Sequence, residues 1–121
     1  MVLATSNKAK QLLYISYIGN VRPEELVDSR EELKELMAGL SSGFRLLVDF
    51  SALEFMELDC SPEIGRNMEL IDQSGVGVIV RVIPDPRKDI GFNIFSMFHY
   101  LHRPKIMTCS SMTEAGKRLE V

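Results

Sequence analysis

Strand-like and helix-like patterns alternate along nearly the whole chain, and that alternation leaves few folds open to it. Residues 12–18 (LLYISYI) are rich in β-branched and aromatic side chains and close at Gly19-Asn20, a turn signal. A helix follows. Pro23 suits a first helical position because its missing N–H would be unpaired there, and Glu24 and Glu25 suit the positive end of the helix dipole. Leu26, Leu33, Leu36, Met37 and Leu40 then form one apolar stripe, with Glu31, Glu32, Lys34 and Glu35 on the wet side. Ser41-Ser42-Gly43 ends it. Residues 44–50 (FRLLVDF) are apolar almost throughout, as in a strand covered on both faces.

After an irregular stretch, Ser61-Pro62-Glu63 reads as a second helix start, with Ser61 as the N-cap and Pro62 in the first turn. Ile64, Met68 and Ile71 share its buried face, and Ser74-Gly75 stops it. Residues 76–83 (VGVIVRVI) are the most strand-like run, closed by Pro84-Asp85-Pro86. Residues 90–101 predict a third helix with Ile90, Ile94, Met97, Phe98 and Leu101 turned inward. A short strand at 105–109 precedes Ser111-Met112-Thr113-Glu114, a capping box that opens a last helix through Leu119.

Strands joined through helices favour parallel pairing, so the class is α/β, a layered sandwich in a single domain over 1–121. With 121 residues, 45% of them hydrophobic, the chain can bury a core without disulfides or metal. Residues 2–5 add an antiparallel edge strand, with Ser6-Asn7 in the turn, or residues 1–10 form a disordered lead.

Composition narrows the function. The net charge is −3 and no segment concentrates Lys and Arg, which argues against nucleic acid as a partner. The longest apolar stretch, 90–101, is interrupted by Asn93 and His99 and falls short of the ~20 residues of a membrane span. The first ten residues hold no signal-peptide apolar run. Two cysteines, Cys60 and Cys109, fit free thiols in a reducing cytoplasm.

Chemistry is sparsely represented. No glycine-rich phosphate loop occurs, and no cofactor is expected. His99 and His102 lie three apart near a helix end: two ligands of a metal site without a third, or histidines tolerated by the negative end of the dipole. Cys60 precedes a helix N-terminus, where a thiolate is favoured, but no general base with an orienting partner accompanies it. No catalytic residue is therefore assigned, and the chain reads as a non-enzyme. Glu54, Glu57, Asp59 and Glu63 crowd the same segment, as a solvated acidic rim or a proton-transfer pair. Sites in parallel sheets collect at the carboxyl ends of strands, which directs attention to the junction at 50–65.

The run Leu46-Leu47-Val48-Asp49-Phe50-Ser51-Ala52-Leu53-Glu54-Phe55-Met56, followed by Asp59-Cys60-Ser61-Pro62, resembles the core of STAS domains, the anti-sigma-factor antagonist (SpoIIAA-like) family. Those domains carry an apolar strand, Asp/Asn-apolar-Ser, an apolar pair, and then Asp-Ser-Ser-Gly opening a helix. Tyr14-Ile15-Ser16-Tyr17-Ile18-Gly19-Asn20-Val21 resembles the family's strand ending in Gly-Glu-apolar, and Asp72-Gln73-Ser74-Gly75 falls before its third strand. The resemblance covers about 12–119. It implies a four- or five-stranded mixed, mainly parallel sheet with about four helices packed mainly on one side.

In the family the first serine of Asp-Ser-Ser-Gly is phosphorylated by a cognate anti-sigma kinase, which breaks the partner complex. Here Asp59 matches the aspartate, Cys60 the phosphorylated serine, Ser61 the second serine and Pro62 the glycine, after two extra residues, Glu57 and Leu58. The resemblance thus implies a protein partner, an anti-sigma factor or kinase-like regulator, met by Asp59, Cys60, Ser61 and Glu63. Ser61 is a displaced phosphate acceptor or a plain N-cap; as a cap, Ser61→Ala would cost about 1 kcal/mol. A second expectation is a module for an apolar small ligand or for self-association on helix 90–101. There Phe92 and Tyr100 fall off the inward stripe and Phe95 lies at its margin.

Overall fold

The computed structural model describes residues 1–85 and 99–120. Its centre is a five-stranded sheet. β1 (Val2–Asn7) lies at one edge, followed by β2 (Leu12–Tyr17), β4 (Arg45–Asp49), β6 (Val78–Val82) and β7 (Lys105–Cys109). β1 pairs antiparallel with β2, and every other neighbour is parallel. This is the mixed, mainly parallel α/β sheet expected.

Two short strands, β3 (Gly19–Val21) and β5 (Leu53–Met56), form a separate parallel pair beyond the carboxyl ends of β2 and β4. Neither is expected from the sequence. Gly19-Asn20 acts as more than a turn: Gly19 adopts φ +67° and its N–H bonds Ala52 O at 2.8 Å, which aligns the two strands.

Side chains of the central strands alternate between two cores. Leu46, Val48 and Ile79 join Ile15 and Phe50 beneath α1 (Pro23–Asp28), α2 (Arg30–Ala38) and α3 (Cys60–Gln73). Leu47, Val80 and Val82 face the opposite way, against Ala115 and Leu119 of α4 (Met112–Leu119). Both faces of β4 and β6 are covered, which is why those strands read as continuous apolar runs.

The helix expected from Pro23 to Leu40 is two helices. Ser29 interrupts it, its Oγ–H bonding back to Leu26 O at 2.9 Å, a side-chain bond that competes with the helical ladder. The apolar stripe still serves both parts, with Leu26, Leu33 and Met37 buried. β1 also runs further than expected: Ser6 and Asn7 pair with Leu13 and Leu12, and the turn is at 8–11, with Gln11 at φ +50°.

Phe92 and Phe95, and most of the helix expected at 90–101, lie outside the described residues. Its tail departs from expectation. Tyr100, read as an off-stripe aromatic, is buried in the core, whereas Leu101, read as inward, is 72% exposed. Helical geometry ends at His99, so a 100° rotation per residue no longer applies beyond it.

Candidate interaction surface

The chain leaves β4 through a tight turn. Asp49 Oδ1 accepts the Ser51 N–H at 2.9 Å, its Oδ2 accepts Tyr14 O–H at 3.3 Å, and Leu53 N–H bonds Phe50 O at 3.1 Å. β5 then carries the chain to a corner where Phe55 is 59% and Leu58 88% exposed. Glu54, Glu57 and Asp59 are exposed around them. Single apolar residues on a surface need no explanation, but two large exposed ones within four positions, interspersed with exposed acids, stand out.

α3 begins at Cys60, before the position expected. Its N-cap is Asp59, whose side chain makes no capping bond, so Ser61 is not the cap. A turn ahead of the helix replaces it: Cys60 N–H bonds Glu57 O at 2.9 Å and Ser61 N–H bonds Leu58 O at 3.0 Å. Pro62 has no N–H to offer. The amides of Cys60 and Ser61 at this helix start are therefore already occupied.

Cys60 is fully buried and its thiol lies 3.4 Å from Val21 O as donor. It belongs to the core, not to a rim, because the pairing of β3 with β5 draws the helix start inward over Val21. Burial raises the thiol's pKa above its ordinary value of 9.0, and the nearby charges of Glu57, Glu24 and Asp59 raise it further. Burial and the neighbouring acids thus both oppose the thiolate form of Cys60.

Glu63 is likewise committed. It meets the Arg30 guanidinium, and its other oxygen lies 3.0 Å from Arg66 Nη1. Arg30 also donates Nε–H to Asn67 Oδ1 at 2.7 Å and Nη2–H to Glu63 O at 3.2 Å. Asn67 Nδ2 reaches Leu26 O at 3.4 Å. The network ties α1, α2 and α3 together. It also accounts for a cation in the first turn of α2, where the helix dipole disfavours one.

Of the four residues expected to meet a partner, then, Asp59 is exposed, Ser61 half-buried, Glu63 ion-paired and Cys60 enclosed. Phe55 and Leu58 were not singled out from the sequence. The available signal was Leu58 itself, an apolar residue between Glu57 and Asp59 with no periodic stripe to join.

The two histidines face separate acids on α3. His99 Nδ1 lies 2.9 Å from Glu69 Oε1, and His102 Nδ1 lies 2.7 Å from the buried Asp72 carboxylate, which also accepts the His102 N–H at 3.2 Å. Each pair fastens 99–102 to α3, and among the described residues no three ligating side chains gather for a metal ion. Tyr100, between them, is fully buried and its phenol pKa is raised far above the ordinary 10.0, first by burial.

Compared with solved structures, the chain has a SpoIIAA-like fold. It superposes on an uncharacterised DUF3478-family protein of SpoIIAA-like fold from Shewanella loihica PV-4 with TM-score 0.73 and 12% identity, over 98% of this chain and 92% of that one. The unphosphorylated anti-sigma factor antagonist SpoIIAA gives TM-score 0.65 and 16% identity, over 99% and 98%. An anti-sigma factor antagonist from Mycobacterium paratuberculosis gives 0.59 and 13%, over 100% and 94%. No family model and no curated protein matches the sequence. Among the described residues no helix is long and apolar enough to cross a membrane.

Proposed function

We propose that this domain is a non-enzymatic regulatory module that binds a protein partner in the cytoplasm through the β5–α3 corner. Phe55 and Leu58 act as apolar anchors, and Glu57 and Asp59 form the charged rim. The observation that carries the reading is the exposure of those two side chains, 59% and 88%, at the corner between β5 and α3. Support also comes from the fold shared with anti-sigma factor antagonists. By that likeness the partner is an anti-sigma factor or a kinase-like regulator. An acidic rim selects a basic counterpart on a protein and repels nucleic acid.

Switching, on this reading, belongs to Ser61. It is the hydroxyl left at the helix start once the aligned position is the enclosed Cys60. A phosphate there adds about −1.5 to −2 charge beside Asp59. The neighbouring amides at Cys60 and Ser61 are already bonded to carbonyls, so little compensates that charge locally. Phosphorylation would then change the corner's charge without ordering it.

Affinity capture from the native cell extract tests the proposal, with wild type, Leu58→Asp and Ser61→Asp as baits. The expected result is one protein retained by wild type, lost with Leu58→Asp and weakened with Ser61→Asp, its affinity then confirmed with purified components by calorimetry. An identical set of proteins on all three baits would remove the corner as the binding surface.

A further inference from the structure

The two edges of the main sheet are built differently. β7 follows Pro104 and begins with Lys105, and both residue types discourage a further strand from pairing. β1, VLATSN, has no charge, no proline and no bulge; all six residues pair with β2 in unbroken register. Met1 and Ile18 exchange both backbone hydrogen bonds, at 2.7 and 2.8 Å. Antiparallel pairing alternates from that point, so Leu3, Thr5 and Asn7 bond β2, while the N–H and C=O groups of Val2, Ala4 and Ser6 point out of the sheet. Among the described residues no strand takes them up.

Charge is distributed along this edge in a self-complementary way. Glu25, Asp28 and Glu32 line a groove beside Met1 and Val2 at its beginning. Exposed Lys8 and Lys10 stand at its end. Leu3, 45% exposed, points to the face of the sheet opposite core-facing Ala4.

We propose that β1 pairs antiparallel with β1 of a second copy of this chain, about a two-fold axis through Ala4, so that two sheets become one. In this register Val2 of each copy lies opposite Ser6 of the other, and Ala4 opposite Ala4. Each opposing pair exchanges both backbone hydrogen bonds. The lysines of each copy approach the acidic groove of the other, and the two Leu3 side chains meet the same face of the joined sheet. The contact is isologous, and it closes at two copies because it consumes the free edge of both. It uses none of the residues of the β5–α3 corner.

Sedimentation equilibrium of the full chain, up to about millimolar concentration, reads the association directly. A dimer is expected, weakened by added salt. In hydrogen exchange, the amides of Val2, Ala4 and Ser6 slow as concentration rises while those of the α3 start do not. Leu3→Lys, at an exposed position that leaves folding intact, weakens the dimer by about tenfold through like charges set across the seam. Lys8→Glu with Lys10→Glu weakens it at low salt and has no effect at high salt. A monomer at every concentration overturns the proposal. So does a dimer that Leu3→Lys leaves unchanged with no protection at Val2, Ala4 and Ser6, since its interface then lies elsewhere.

Discussion

α3 and α4 each start a few residues past a strand, yet they start for different reasons. At α4 the cause is local. Ser111 Oγ accepts the Glu114 N–H at 3.2 Å, while Glu114 Oε2 reaches back to the Ser110 N–H at 3.2 Å and its hydroxyl at 3.3 Å. A few consecutive residues satisfy the orphan amides, and they would do so in any surroundings. At α3 no side chain caps the helix. Its position follows from Cys60 packing over Val21, a turn closed by carbonyls of Glu57 and Leu58, and Glu63 held by Arg30 from another helix. One start is written in five adjacent residues; the other exists only when three distant segments have met.

Substitutions can break that contrast, the largest effect falling on Cys60. Cys60→Asp puts an unpaired carboxylate into a fully enclosed position, and we expect a loss above about 4 kcal/mol, read as an absence of cooperative unfolding by circular dichroism. The thiol itself predicts a pH dependence. Its folded pKa is raised above the unfolded 9.0, so the folded state holds the proton more tightly. Stability from this group is complete below pH 9 and falls as pH rises from there through the folded pKa. Urea midpoints should decline on that alkaline side, less steeply for Cys60→Ala than for wild type; equal slopes would show that the thiol is not the titrating group.

Next comes Glu63→Ala, which strands a largely buried guanidinium and should cost about 2–3 kcal/mol in urea unfolding. Combined with Arg30→Ala, the two losses should fall short of additive by about 1 kcal/mol, the signature of one shared contact. Ser111→Ala should cost about 1 kcal/mol, the value of a single cap. Ser61→Ala should change stability by no more than about 0.5 kcal/mol, since Ser61 caps nothing. A loss at Ser61 equal to that at Ser111 would erase the distinction between the two helix starts.

The elements that were legible are those whose signal is contained in their own residues. β2, β4, β6, β7 and α4 show in composition, periodicity or a cap, and the family resemblance rested on residue runs at 14–21, 46–56, 59–62 and 72–75. The pairing of β3 with β5 was not legible. Gly19-Asn20-Val21 and Leu53-Glu54-Phe55-Met56 are too short for periodicity, and each is a strand only because the other lies beside it. The break at Ser29 was hidden for a related reason: the stripe on both sides continues in phase, and one hydroxyl bond decides the interruption.

The candidate surface divides in the same way. Acidic residues around 54–63 and their place beyond a parallel strand are visible in the linear chain. Which of them reach solvent is not: Glu63 is drawn into an ion pair by Arg30, thirty-three positions away, and Cys60 is enclosed by Val21, thirty-nine away. Phe55 and Leu58 acquire meaning by the opposite route, because the fold offers them no core to enter.

Read alone, the chain determines an α/β sandwich, its strand runs and the helix that carries its own cap, because backbone hydrogen bonding and apolar periodicity act between near neighbours. The tertiary structure decides which side chains of the 54–63 segment are core, brace or surface, because burial and ion pairing depend on partners far away in sequence, and no local pattern records where those partners arrive.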